Sequence, residues 1–404
     1  MSLRVLSLFS GIGAFEQALT NLNIDYDIVH YCEIDKYASK SYSVLHQVPE
    51  SLNLGDITQV DIQQLPKDID LLTHGSPCQS FSIGGKGEGG DKGSNTKSSL
   101  MWYSVEIIKQ IKPKCIIWEN VKNVLSTRHK HNFEQYCDAL SELNYSNFYQ
   151  VINSKDFNVP QNRERVYCIS ILNAETPYIF PKPIGCTLRL ADILEEEVDE
   201  KYYLRSSKAL EFLKNLSEAD INISRDTENR LYSLGHMPGK HEQSNRVYHS
   251  YGISPTLMAC ERQNCTGGMT PPKILQHKSS LQYIGSLSNK DRVGDGKVLS
   301  RNSPSGDRVY STNGIACTQS AVGGGTGGST GIYLHNFCLR KLCPLETWLL
   351  MGFSREAFLK VQSLPTSDTQ LYRQAGNSIT VPVLESIYLN LPLVMKYKKV
   401  DLDN

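Results

Sequence analysis

Not one Cys-x-x-Cys pair occurs in this chain, although it carries 11 cysteines. That absence argues against a structural zinc site, and an odd number of scattered thiols does not describe a disulfide framework. A reducing cytoplasm fits this usage. An excess of charge of one sign is missing too, because 42 Lys+Arg balance 42 Asp+Glu. The balance argues against a protein that coats nucleic acid non-specifically, yet it leaves room for a locally basic cleft. No apolar run approaches membrane-spanning length. The apolar stretch from Arg4 to Phe9 is followed by Glu16 and by no small-residue cleavage site, so no signal peptide is expected. What is present is a length of 404 residues with 40% hydrophobic content, enough for a sizeable core and for two domains.

Strand-like and helix-like segments alternate in the first part. Val5 to Phe9 reads as an apolar strand, after which Phe15, Ala18, Leu19 and Leu22 recur at helical spacing. Ile28 to Cys32, Asp70 to His74 and Cys115 to Trp118 read as further strands, with a helix suggested by Trp102, Val105, Ile108 and Ile111. This rhythm predicts an α/β, doubly wound parallel sheet. From about Pro181 the texture becomes acidic, Ser/Asn-rich and irregular, and a second domain is expected there. Within it Arg246-Val247-Tyr248, Gly252-Ile253 and Thr256 recur as Arg308-Val309-Tyr310, Gly314-Ile315 and Thr318, displaced by 62 positions. Each copy runs into glycines. Two copies are too few for a solenoid, which leaves a duplicated strand-and-loop unit or chance turn chemistry. Further on, Arg373 to Pro382 reads as a loop leading into a helix from about Val383 to Leu389.

The chemistry-bearing residues gather at predicted strand ends. Cys78 follows the Asp70–His74 strand in Gly75-Ser76-Pro77-Cys78-Gln79-Ser80, where Gly75 and Pro77 stop the strand. In open parallel sheets the ligand crevice lies outside the carboxyl ends, and basic neighbours there can ionise a thiol. A small buried hydrophobe is the other reading of a free cysteine. Gly11 and Gly13 sit between the first strand and first helix, where backbone N–H groups can approach a ligand. A dinucleotide fingerprint needs a third glycine where this chain has Glu16, which would repel a pyrophosphate, so a nucleoside without phosphates fits better than a nicotinamide cofactor. Glu33, 20 residues beyond Gly13, can accept from ribose hydroxyls, and Asp56 at a further expected strand end can accept from an adenine amino group. Glu119 follows Ile116-Ile117-Trp118, and desolvation there would raise its pKa, which suits an acid. At period two Gln161, Arg163 and Arg165 share one face, on which two guanidiniums favour a thiolate and recognise carbonyl or phosphate oxygens. The Gly84–Gly93 stretch after Cys78 reads as a mobile lid or as a plain connector.

Phe9-Ser10-Gly11-Ile12-Gly13, Glu33, Gly55-Asp56-Ile57, Pro77-Cys78-Gln79, Glu119-Asn120-Val121, Gln161-Asn162-Arg163-Glu164-Arg165 and Gly376-Asn377-Ser378 together resemble the DNA (cytosine-5) methyltransferases, especially those of bacterial restriction-modification systems and phages. Their order in the chain is that of the family's motifs. The resemblance implies a Rossmann-like methyltransferase fold dependent on S-adenosyl-L-methionine, with a smaller, mostly β or irregular target-recognition domain. On that layout residues 1–185 hold the catalytic and cofactor-binding domain, 186–365 the target-recognition domain, and 366–404 a segment returning to the first. It implies S-adenosyl-L-methionine held by Phe9, Gly11, Gly13, Glu33, Ile34, Asp56, Ile57, Pro77, Asn377 and Ser378, with Leu100 beside them.

The family's chemistry implies that the Cys78 thiolate adds to C6 of a flipped-out cytosine, that Glu119 bonds N3 and the amino group, and that Arg165 binds O2. Arg163 would support Cys78 or a phosphate. DNA contacts are expected from Gln79, Ser80, Arg246, Thr256, Arg308, Thr318 and Gly325, with Arg308 suited to guanine O6 and N7. The family's usual Thr-Leu is Thr256-Leu257 in the first copy and Thr318-Gln319 in the second, so either copy, or both, could read the DNA. Double-stranded DNA is the expected partner of a monomer, and a cognate restriction endonuclease would share the site without a stable complex. A tRNA cytosine-5 methyltransferase and a catalytically silent DNA-binding member of the fold are the alternatives.

Overall fold

Alternation at period two decides the centre of the molecule, because each apolar strand has two faces to bury. The strands are Leu3–Leu8 (β1), Tyr26–Cys32 (β2), Leu71–His74 (β3), Cys115–Val121 (β4), Tyr145–Asn153 (β5), the two-residue Gln161–Asn162 (β6) and Glu164–Leu172 (β7). Six of them form one sheet in the order β2-β1-β3-β4-β7-β5. Leu3, Val5, Leu71, Cys115 and Ile117 join the core on one face, and Leu6, Leu8, Leu72, Ile116 and Trp118 join the core on the other. Each such side chain contributes about 1.5–3 kcal/mol when fully buried.

This computed structural model describes residues 1–81, 88–205, 246–257 and 339–399 with side chains, positions 215, 230, 231, 233–235 and 274, and otherwise only the backbone of strands between 233 and 338.

The helices divide between the faces. Met101–Ile111 (α3) and Lys130–Ser141 (α4) cover the face of Trp118. Ala14–Asn21 (α1) covers the opposite face together with four helices from the C-terminal part. Those four are Pro344–Leu349, Arg355–Gln362, Asp368–Asn377 and Val381–Leu389. Lys36–His46 (α2) begins at Asp35, whose carboxylate accepts from Tyr37 N at 2.8 Å and Ala38 N at 3.2 Å. Among the described residues no helix is long and apolar enough to cross a membrane.

Two expectations need correcting. The sheet is mixed: β1, β2, β3 and β4 are parallel, whereas β7 runs antiparallel to both β4 and β5. A period-two pattern reads the same in either direction, so strand polarity was not in it. The reversal brings the amino end of β7, with Arg165, beside the carboxyl end of β4. In addition, the stretch expected as a loop from Arg373 lies in the helix Asp368–Asn377, so Gly376 and Asn377 are its last turn.

The internal repeat has a structural counterpart. The strand Arg246–His249 pairs antiparallel with Ser233–His236 and parallel with Lys273–His277, and Arg308–Ser311 pairs antiparallel with Tyr283–Ser286 and parallel with Ile332–Leu334. The registers coincide: Gly235 faces Val247 as Gly285 faces Val309, each next to a β-bulge, and Tyr248 faces Ile274 as Tyr310 faces Tyr333. The two copies thus share strand pairing and register around the matched residues. The glycine runs after each copy lie outside the described residues.

Candidate active site

The sheet order turns back between β1 and β3, so a crevice opens at the carboxyl ends of the parallel strands. The first wall is the turn Phe9 to Gly13. Phe9 itself has φ +52°, a left-handed conformation that costs a side-chain-bearing residue about 1–3 kcal/mol and is typically kept where function needs it. Gly11 (φ +56°) has open space where a side chain would begin, as does Gly55 (φ +71°). At Gly13 (φ +81°) a side chain would collide with the ring of His46, whose Nε2 lies 3.1 Å from Ile12 O.

Glu33, just past the end of β2, ties this wall together. Its carboxylate accepts from Gly11 N at 2.9 Å and from Asp35 N at 2.7 Å, while burial pushes its pKa up. Asn53 bridges Glu33 N and Gly55 N through Oδ1, both at 2.9 Å. Ile34 beside it is 74% exposed, an apolar surface at the crevice mouth. Asp56 does not end a strand, as expected; it caps the turn Ile57–Gln59, with Oδ1 taken by Thr58 and Ile57 buried beneath. Leu100 is half-buried at the start of α3. Arg373 pairs with Asp35 at 2.9 Å and Gln374 Nε2 donates to Ser41 Oγ at 2.9 Å, which docks the Gly376-Asn377-Ser378 turn on this wall. Asn377 is exposed and Ser378 buried.

The second wall is the turn after β3. Its brace is Ser76, whose Oγ accepts from Trp118 Nε1 at 2.9 Å and whose carbonyl accepts from Asn120 Nδ2 at 3.1 Å. Pro77, Cys78 and Gln79 remain partly exposed, and Ser80, expected to touch DNA, is 5% exposed with its amide donating to Ser98 Oγ. Burial pushes the Cys78 thiol up, Arg165 pulls it down, Glu119 pushes it up and Arg163 pulls it down. The net is upward, which corrects the expectation that the two guanidiniums ionise it: without ligands, desolvation prevails. Glu119 is likewise pushed up by burial against the pull of Arg165 and then Arg163. Its Oε1 lies 3.0 Å from Arg165 Nε, but the pair is not aligned as a hydrogen bond, so this buried oxygen has no hydrogen-bond partner among the described residues.

Other candidates are placed differently. Arg163 is 3% exposed and donates to main-chain carbonyls, and the Thr256 hydroxyl donates to Asn162 O at 2.7 Å. Arg246 is half-buried at the start of its strand. The Arg308 backbone starts the matching strand, whereas its side chain, Thr318 and Gly325 lie outside the described residues. So do residues 84–87 of the expected lid. The remainder, 88–93, is pinned: Gly90 N donates to Asn132 Oδ1 at 3.2 Å, Trp102 Nε1 donates to Gly90 O at 2.8 Å, and Asp91 Oδ1 accepts from Asn132 Nδ2 at 2.6 Å. Glu16, expected to face the first turn, is fully buried with Tyr42 and Ser7 nearby, so its repulsion of a pyrophosphate does not apply. Ser76, Asn53 and Arg373 carried no expectation. A polar residue beside Gly55 or Pro77 was the sole hint of the first two, and nothing marked Arg373. No group of three or more His, Cys, Asp or Glu among the described residues could hold a metal ion.

A family model described as C-5 cytosine-specific DNA methylase matches residues 3–392. The orphan methyltransferase M.SPRI of Bacillus phage SPR is 35% identical, over 96% of this chain and 97% of the relative. The type II methyltransferase M.HhaI of Haemophilus parahaemolyticus is 30% identical, over 98% and 96%. In fold, the chain is similar to the solved Entamoeba histolytica methyltransferase EhMeth (TM-score 0.62, 16% identity, covering 99% and 100%) and to S. pombe Dnmt2 (TM-score 0.56, 19% identity, covering 96% and 98%). With the family matched across nearly its whole length, the chain belongs to the C-5 cytosine-specific DNA methylases and is a DNA cytosine-5 methyltransferase.

Proposed function

We propose that the protein transfers a methyl group from S-adenosyl-L-methionine to C5 of cytosine within a specific duplex DNA sequence, as a restriction-modification or orphan methyltransferase. The observation that carries this reading is the meeting of Cys78, Glu119 and Arg165 in one crevice beside the Phe9–Gly13 wall. The open positions at Gly11 and Gly55, the Glu33 carboxylate between them and exposed Ile34 fit an adenosine moiety. Phe9, Gly11, Gly13, Glu33, Ile34, Asp56, Ile57, Pro77, Leu100, Asn377 and Ser378 would hold the methyl donor. When bound, the donor supplies an electrophilic methyl on sulfur.

Cytosine C5 is a poor nucleophile, and the protein's task is to make it a better one. A target base is inaccessible inside a duplex, so it is flipped into the crevice. Cys78 gives up its proton to solvent and its sulfur bonds to C6, which turns C5 into an enamine carbon that would take the methyl as the donor's S–CH3 bond breaks and S-adenosyl-L-homocysteine leaves. Glu119, its pKa pushed up by burial, bonds N3 and the amino group as charge develops, and Arg165 holds O2 and favours the thiolate. Removal of the C5 proton restores the ring double bond as the C6–S bond breaks. Residues 186–365 would supply target recognition through their duplicated strand unit, Arg246 and Arg308 included.

The test is the Cys78→Ala variant. It is expected to bind S-adenosyl-L-methionine with unchanged affinity and to leave no 5-methylcytosine in the DNA of an unmethylated expression host. Persistent methylation would overturn the covalent route, and transfer to tRNA in preference to duplex DNA would overturn the substrate.

A further inference from the structure

Arg163 joins three parts of the chain that are distant in sequence. Its Nη1 donates to Leu257 O at 3.0 Å, and its Nη2 donates to Ser378 O at 2.7 Å, with Gly376 O at 3.4 Å. Its own main chain is fixed as well: the amide donates to Asn153 Oδ1 at 3.1 Å and the carbonyl accepts from Ser154 N at 3.0 Å. The segment that carries Leu257 is seated on the same strand. Ser254 and Pro255 pair parallel with Gln161 and Asn162, Thr256 Oγ1 donates to Asn162 O at 2.7 Å, and Leu257 N donates to Gln161 Oε1 at 3.3 Å. One guanidinium therefore links the end of the first repeat copy, the Gly376-Asn377-Ser378 turn and the strand that leads to Arg165.

We infer that Arg163 is a positioning residue that couples the two ligand sites, so that DNA seated on the 246–257 segment tightens the cofactor wall at Gly376–Ser378, and the reverse. This rests on the DNA and S-adenosyl-L-methionine reading above. A planar fork with donors on two sides can hold both segments at once, whereas an ammonium is a point donor on a flexible stem. Because the cation is buried, any shift of one segment leaves a charged donor short of an acceptor, so neither segment moves independently at low cost. Linkage makes the effect reciprocal.

The experiment is calorimetric titration with S-adenosyl-L-homocysteine, which binds without turnover. It is done with and without a short duplex carrying the target mapped beforehand by 5-methylcytosine sequencing. Wild-type protein is expected to bind the nucleoside about 5-fold or more tightly on DNA, the lower end of usual coupling. Arg163→Lys is expected to lose that ratio, to below about 2-fold, while affinity without DNA changes less; general loosening would lower both affinities and leave the ratio in place. Thr256→Val, which removes a neighbouring tie and leaves Arg163 intact, is expected to reduce the ratio at least about 2-fold, and it decides the matter if Arg163→Lys does not fold. A wild-type ratio of one, or an undiminished ratio in the folded variant, overturns the inference. Failure of the wild type to bind S-adenosyl-L-homocysteine at all would instead strike the cofactor assignment, and the inference with it.

Discussion

Arg165 Nε stands 3.0 Å from Glu119 Oε1, with the two side chains only 15% and 10% exposed. The pairing follows from strand direction: with β7 antiparallel to β4, Val121 faces Arg165 and Glu119 faces Tyr167. Glu119→Gln keeps the shape of the carboxyl and loses its proton chemistry. Turnover is expected to fall by about 10²–10⁴, the usual worth of a general acid or base, with cofactor affinity unchanged. Radiolabelled methyl transfer and calorimetry measure the two, and a parallel loss of cofactor affinity would place Glu119 in the cofactor wall instead.

Cys78 illustrates a conflict between burial and charge. Burial is the leading cause that pushes its thiol above the ordinary value of 9.0, and Arg165 is the leading one that opposes it. In the ligand-free protein its alkylation by iodoacetamide should therefore be slow at neutral pH and still be accelerating past pH 9. Arg165→Gln should slow it at neutral pH, where the thiolate fraction follows the pKa directly, and the difference should narrow as the pH rises. Peptide mass spectrometry reads the rate at Cys78, and faster alkylation in the variant would show that Arg165 shields the sulfur rather than favouring its anion.

Glu33 holds Gly11 N and Asp35 N at once, and both amides lose their acceptor in Glu33→Ala. Hydrogen bonds to a charged group are worth about 1.5–3 kcal/mol, so S-adenosyl-L-homocysteine should bind about 10–100-fold more weakly. At saturating cofactor the methylation rate should recover to near the wild-type value. A lowered kcat with unchanged KM for the donor would remove Glu33 from the binding wall.

The sequence carried β1, β2, β3, β4 and β7 and the gathering of Cys78, Glu119 and Arg165 because alternation and motif order are local signals, whereas the edge strand β5, with its exposed and half-buried residues, carried no apolar run to mark it. Polarity was not legible, since β7 has the same period in both directions. Nor could period two separate Arg163 from Arg165, although it set both on one face. What divides them is long-range: the carbonyls of Leu257 and Ser378 lie 94 and 215 positions from Arg163. Asp56 was misplaced for a similar reason, because an Asp before a short turn looks the same as an Asp that ends a strand. The matching registers of Arg246–His249 and Arg308–Ser311 were legible through the 62-residue displacement, since the spacing within the two strands is the same.

Glu16 sits in α1 directly behind the Gly13 turn, fully buried, and neither of its oxygens has a well-aligned hydrogen bond among the described residues. Burial pushes its pKa above the ordinary 4.5, while Ser7 and Tyr42 oppose the rise. For an acid whose folded-state value is raised, the stabilisation of the neutral form is complete below pH 4.5 and is lost as the pH rises through the folded-state value. Glu16→Gln removes the titration and keeps the shape. Its melting temperature should match wild type at the acid end and exceed it increasingly as pH rises, by about 2–4 °C for each kcal/mol of avoided strain. Differential scanning fluorimetry across that range is the measurement, and an offset independent of pH would mean that packing, not charge, sets the cost. The burial of this carboxyl bears on the crevice because α1 begins directly after Gly13, so Glu16 lies within the first turn behind the Phe9–Gly13 wall and its charge is felt there.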